Sequence, residues 1–298
     1  VNELKDLPIK AHLDKVKKVF YYEIETANKS RATFIVAPIT KAGVEIRPSV
    51  NQKNGPTSQT ARSEGAIASV NGGYFNLKDG LSASYVTIDG QKVCDPHENS
   101  ALMMNPKLQP FMSQILNRSE LRFLTDGKGH NAVTIQPHNE KVSPGFSIKH
   151  AIQAGPRLLP KITAEEEAFI RKDGDGDRTD SIGCLKTAAR TAVGITADGK
   201  AIVLCVSGPK QDEFSSGVTL PQLADLMAKL GCVAALNFDG GTSTTMAIRS
   251  DLLAESASDV LATAPPAGTE SQNQSAPGYT LVCGRHPETL VKSCLIIR

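Results

Sequence analysis

Two apolar runs in this chain end in the same way, and that shared ending limits the folds open to it. Ala68-Ser69-Val70 leads into Asn71-Gly72-Gly73, and Val233 to Phe238 leads into Asp239-Gly240-Gly241. A β-prone run that stops on a polar side chain and two glycines holds that side chain at a sheet's rim and leaves bare backbone open to close approach. One such corner is an ordinary hairpin turn. Two of them, far apart in sequence, predict a single site built from both. A third stretch, Thr187 to Ile195, sets one arginine, Arg190, in an otherwise small and apolar strand. The ordinary explanation of such an arginine is a strand-end side chain reaching for water.

Around these corners the chain alternates strand-like and turn-like segments. Val19 to Ile24, Arg31 to Ala37 and Val44 to Pro48 read as strands, and Asn51 to Thr60 as a polar loop. Thr57 to Gly65 predicts a short helix, and Tyr85 to Val93 a hairpin around Asp89-Gly90. Arg122-Phe123-Leu124 and Ala132 to Ile135 read as strands about a Gly-rich turn, and Ala164 to Ile170 as a short helix. The clearest unit covers residues 200–248. A strand from Lys200 to Ser207 precedes a helix opened by Thr219-Leu220-Pro221-Gln222 and stopped by Gly231, and a second strand ends at Phe238. Strand, helix, strand predicts a right-handed crossover between parallel neighbours, with Asp239 at the carboxyl end where such sheets bind ligands. Ala254 to Gly278 reads as a long loop; Tyr279 to Cys283 and Ser293 to Ile297 close the sheet. The expected fold is α+β: one domain over 1–298, a mixed sheet with flanking helices and a core from about residue 57.

Composition excludes several functions. A net charge of +2 over 298 residues leaves no nucleic-acid or membrane footprint. No apolar run approaches a membrane span. Tryptophan is absent and aromatics are 5%, thin for a polysaccharide lectin. There is no G-x-S-x-G elbow and no phosphate-binding G-x-x-x-x-G-K-[ST] loop. The histidines lack ligand spacing, and none of the cysteines forms a C-x-x-C pair, so neither metal nor cofactor is expected. The alternating aspartates from Asp173 to Asp180 resemble a calcium loop, but Arg178 stands where that loop needs glycine and Cys184 where it needs glutamate. A solvated loop is expected there. Cys283 and Cys294 flank a hairpin-like segment and are expected to bridge in an oxidising compartment. Residues Val1 to Asp6 are not a signal peptide, so an exported protein, periplasmic or extracellular, would already have lost its signal.

VNGGYF (70–75), AARTAVGI (188–195) and ALNFDGGTSTTM (235–246), with QAGPRLL (153–159) and GVTLP (217–221), together resemble the phosphodiester glycosidase family. The resemblance runs from about Thr57 to the end of the chain. One departure is Thr242, where the family usually carries a third glycine after the acid. The resemblance implies hydrolysis of the bond between a sugar's anomeric carbon and a phosphodiester oxygen, with a sugar-phosphate diester or phosphate-containing glycan as partner. Asp239 is then the nucleophile, base or stabiliser of an oxocarbenium-like state, and Asn71 and Asn237 are candidate hydrogen-bond partners for sugar hydroxyls or for Asp239. Arg190 would clamp phosphate through its planar fork. The amides of Gly72, Gly73, Gly240 and Gly241 would add donors, and Thr191, Asn237, Ser243 and Thr244 would line the substrate site. A second carboxylate could come from Asp95, Asp180, Asp212 or Glu213, with the 212–213 loop preferred. The alternative on the same scaffold is a non-catalytic glycan- or phosphate-binding protein of the cell envelope.

Overall fold

The computed structural model describes residues 4–39, 43–172, 174, 176–210, 212–257 and 275–298, the side chains of 255–257 excepted. Strands dominate and helices are few and short. A seven-stranded sheet runs in the order Ala11–Asp14, Val19–Glu25, Arg31–Pro38, Lys200–Ser207, Arg190–Thr196, Cys232–Asn237, Arg157–Leu159. One five-stranded sheet orders Gln91–Cys94, Val86–Ile88, Ser147–Gln153, Ser119–Thr125, Asn131–Pro137. The other orders Tyr279–Cys283, Met246–Arg249, Ala68–Asn71, Val291–Ile297, Ile46–Gly55. The central strands are the apolar ones. Arg31–Pro38 buries every residue from Ala32 to Ala37, and Lys200–Ser207 every residue after its lysine. One apolar cluster ties the three sheets together, drawing Ile35 and Val203 from the first, Leu121 and Ile152 from the second, and Val70 and Leu295 from the third.

The helix Leu220–Lys229 begins as its residues dictate. The Thr219 hydroxyl accepts from the Gln222 amide, and the Gln222 side chain accepts from the Thr219 amide. Gly231, at a φ of 90°, follows its end. Leu220, Leu223 and Met227 are fully buried and belong to a second cluster on the outer face of the seven-stranded sheet, with Phe34, Leu158 and Ile202.

The two strands flanking this helix are not the parallel neighbours that the strand–helix–strand pattern predicts. Arg190–Thr196 lies between Lys200–Ser207 and Cys232–Asn237 and is antiparallel to both. Every pairing among the described strands is antiparallel. The tight turn at Asp198-Gly199 folds Lys200–Ser207 back on its predecessor, so one edge is taken before the helix begins.

Other expectations differ locally. The Ile46–Gly55 strand runs through the expected loop at 51–55, because it pairs with Val291–Ile297 up to Val291 opposite Gly55. Ala164 to Ile170 makes hydrogen-bonded turns rather than a helix; Ala168 sits at a φ of 55°, which ends any helical run. Cys283 and Cys294 lie on strands separated by Met246–Arg249 and Ala68–Asn71, and both are free thiols, so the expected bridge is absent. Of the calcium-like stretch, Ile170–Lys172 and Arg178–Asp180 pair as a small hairpin, and Asp173 and Asp175 lie outside the described residues. Ser250–Ala257 is helical, and 258–274 of the expected long loop lies outside the described residues.

The sheets meet at the first Gly-Gly corner. A β-carbon on Gly73 would stand 2.5 Å from the Gln153 carbonyl oxygen and 2.9 Å from the Ser84 side chain. Backbone cannot swing aside as a side chain can. Gly73→Ala is therefore expected to cost roughly 2–4 kcal/mol of stability, read as a lower urea midpoint at unchanged slope.

Candidate active site

Asn71 closes the strand Ala68–Asn71 and is fully buried. Its amide nitrogen donates to the Asp239 carbonyl at 2.6 Å. Its amide oxygen accepts from the Thr191 hydroxyl at 2.7 Å and from the Thr245 amide at 3.1 Å. One side chain thus joins the three motif segments. The backbone adds to the junction: the Asp239 amide donates to the Gly72 carbonyl, Phe238 to Thr191, and Gly241 to Ala189.

The glycines serve this packing, and their amides are engaged. Gly72 and Gly73 donate to the carbonyl and hydroxyl of Ser293, and Gly240 to the Asp239 carboxylate. A β-carbon on Gly240 would stand 2.9 Å from the Ala189 carbonyl oxygen. Thr242 is exposed in the turn Gly241–Ser243, so its side chain fills no space at the junction where the family has glycine.

Asp239 keeps some solvent access. Burial nevertheless pushes its carboxyl up to about 6, against the pull of hydrogen bonds from the Ser243 hydroxyl and the Gly240 amide. Among the described residues no ion pair offsets that cost. Tyr74 lies beside it: its hydroxyl donates to the Gly155 carbonyl at 2.7 Å and accepts from the Asn237 amide at 3.0 Å. Burial and the Asp239 charge push the phenol far above its ordinary range. Asn237 also donates to the Gly155 and Phe238 carbonyls, while its amide oxygen is buried without a partner. The Thr244 and Thr245 hydroxyls are likewise buried and unpartnered.

Arg190 joins the junction through its backbone, but its guanidinium is turned into a ring of carbonyls. Its Nε donates to Val218, one terminal nitrogen to Ile182, and the other to Gly183 and Lys186. Four of its five N–H groups are used, and the residue is only 3% exposed. The candidate second carboxylates are dispersed. Asp95 pairs with Lys92 and His97 in another sheet. Asp180 accepts from the Cys184 amide at 2.7 Å within its own turn, and its charge reaches Arg190. Glu213 accepts from Ser216, in a loop that borders the Arg190 strand through the Ala189–Phe214 backbone bond. Asp212, beside it, is exposed.

Sequence reasoning passed over Tyr74 as a site residue although it stands in the first motif, and it missed Arg118, Glu167 and Phe169. The Glu167 carboxylate accepts from the Ser119 amide and hydroxyl, the Arg157 amide and the Thr163 hydroxyl. It thereby props the turn at Gly155, where a β-carbon would sit 2.2 Å from its oxygen and the φ is 111°. The available signal was QAGPRLL, which fixes Gly155; nothing local marks Arg118.

The family profile of phosphodiester glycosidases matches residues 64–275. The bovine (Bos taurus) N-acetylglucosamine-1-phosphodiester alpha-N-acetylglucosaminidase is 24% identical over 202 residues, which cover 68% of this chain and 35% of that protein. The chain thus spans about a third of that relative's length. Among solved structures, the zebrafish enzyme of the same name, a catalytic domain auto-inhibited by its pro-peptide, superposes with a TM-score of 0.58 at 16% identity, covering 94% of this chain and 82% of that one. A hypothetical protein from Synechocystis gives the same TM-score at 14% identity, covering 94% of this chain and 62% of the other. A candidate exported protein from Burkholderia pseudomallei K96243 gives 0.55 at 14% identity, covering 94% and 74%. With the corners of Asn71 and Asp239 joined and the family profile spanning both, the chain belongs to the phosphodiester glycosidase family.

Proposed function

We propose that this protein hydrolyses the glycosidic bond of a sugar-1-phosphodiester and releases the free sugar and a phosphomonoester. The observation that carries this reading is Asp239: a carboxyl with solvent access, raised to about 6, held where the three motif segments join. A general base works best with its pKa near the working pH, and this one is mostly ionised at neutrality. Water's oxygen bonds to the anomeric carbon as the bond from that carbon to the phosphate oxygen breaks. The electron pair leaves with the phosphate, and the proton from water passes to Asp239. The leaving phosphate is already ionised and needs little help from an acid, which suits a site without a clear second carboxylate. Ser243 orients the Asp239 carboxylate. Asn71, Thr191 and the glycines hold the frame, and the Asn237 amide oxygen and Thr244 hydroxyl, within a few positions of Asp239 in the chain, are buried without a bond. The fold likeness to a candidate exported protein supports an exported location.

Arg190 acts in this reading by fixing the 182–186 segment and Val218 beside the site. A lysine ammonium cannot span four carbonyls. Arg190→Lys is expected to lose roughly 2–3 kcal/mol of stability in a urea melt, while the KM of its folded fraction for the diester stays near wild type. A KM that rises in a variant as stable as wild type would return Arg190 to the role of phosphate clamp.

Asp239→Asn should lower kcat about 10²-fold or more on N-acetylglucosamine 1-(methyl phosphate), the diester suggested by the bovine relative. The wild-type kcat/KM should fall below about pH 6 as the carboxylate is protonated. Wild-type protein that retains the diester without releasing sugar would favour the binding-protein alternative.

The same variant carries a stability signature. The folded carboxyl stands near 6 and its ordinary value is 3.8, so the folded state pays for a buried charge above about pH 6 and pays nothing below 3.8. Asp239→Asn should therefore melt higher than wild type at pH 8, by at most roughly 3 kcal/mol at 1.36 kcal/mol per pKa unit. The difference should close as the pH falls from 6 toward 4. A gap that is constant with pH would show that the carboxyl is not raised.

A further inference from the structure

We propose that Arg118 is the residue that binds the phosphate of the diester; this rests on the sugar-1-phosphodiester reading above. Arg118 follows the helix Met112–Leu116 and precedes the strand Ser119–Thr125. It is 9% exposed, yet it makes no ion pair among the described residues. Its Nε donates to the Glu167 carbonyl at 3.0 Å. The carboxylate of Glu167 is taken by Ser119, Thr163 and Arg157 and does not pair with it. Both terminal nitrogens of Arg118 lack a hydrogen bond and keep solvent access. They are the two nitrogens that a planar fork presents to a phosphate.

The guanidinium is held in place from the other side. Its central carbon lies 3.7 Å from the centroid of the Phe169 ring, a cation–π contact. The same ring packs against Tyr74, with centroids 5.4 Å apart. Tyr74 in turn bonds Gly155 and Asn237 at the strand end that carries Asp239. The charges of Asp239, Arg118 and Arg190 all act on its phenol, so the acid and this cation both lie near one tyrosine. Burial pushes the Arg118 guanidinium down to about 10, and the nearby Arg171 charge adds to that. A buried cation with open donors and no ion pair is costly to keep, and an arriving phosphate anion relieves that cost. Arg190 cannot do the same work without first breaking its carbonyl bonds.

The test compares wild type, Arg118→Gln and Arg118→Lys by calorimetric titration with inorganic phosphate and by turnover of N-acetylglucosamine 1-(methyl phosphate), with a thermal melt for each. In Arg118→Gln the affinity for phosphate is expected to fall tenfold or more, and KM for the diester to rise with it. Arg118→Lys keeps the charge but loses the fork, and is expected to fall at least fivefold. Binding of N-acetylglucosamine, which lacks the phosphate, is expected to stay unchanged in both, which a merely structural role would not spare. Phosphate affinity and KM within twofold of wild type in a cooperatively melting variant would overturn the proposal. If Arg118→Gln does not fold, the lysine variant decides by the same measure. Arg118-dependent phosphate binding with no turnover in wild type would uphold this site and overturn the glycosidase reading. Turnover in wild type that is indifferent to Arg118 would do the reverse.

Discussion

The junction depends on the side-chain amide of Asn71. Its nitrogen and oxygen reach three chain segments that are otherwise far apart in sequence: the Asp239 turn, the Arg190–Thr196 strand and the entry to Met246–Arg249. A primary amide offers two donors and an acceptor oxygen with two lone pairs in one plane, and glutamine, the other residue that carries one, is longer by a methylene. The burial is complete, so each of these bonds forms in a medium of low polarity where an unmade partner is expensive. Two sheets are thereby locked at their rims, and the glycines on either side let them come close enough for the lock to form.

Inside that frame, charge is arranged with little neutralisation. Among the described residues Asp239 has hydroxyl and amide donors but no cation against it, and Arg118 has an aromatic face but no ion pair. Glu167 lies between the two regions with its oxygens fully engaged by neutral donors. Tyr74 and Phe169 pack against each other in the same region. Burying charge with so little pairing costs folding free energy.

The sequence showed the frame better than the chemistry. Polar-Gly-Gly at Asn71 and Asp239 was legible because close backbone approach admits almost nothing but glycine, and the capping box at Thr219 because its two hydrogen bonds span only three residues. The strand order was not legible. A strand, a helix and a strand look the same whether the second strand docks beside the first or one place away, and only the hairpin at Asp198-Gly199 decides it. The orientation of Arg190 was not legible either, because a lone arginine among small residues leaves room for a ligand and for folded-back carbonyls alike. Arg118 left no local trace, since its aromatic partner lies some fifty positions onward at Phe169 and its open nitrogens are defined by what does not touch them.

The placement of Arg190–Thr196 between the two strands that the helix joins also divides the contacts by the chain entropy they cost. The hairpin from Arg190 to Ser207 turns within a few residues and closes at little entropic cost. Cys232–Asn237 docks on the edge that the hairpin leaves open. Asp239 follows that strand, and its carbonyl meets Asn71, which belongs to another sheet. The acid is thus held by contacts of long sequence separation, whose closure costs more chain entropy than that of the hairpin.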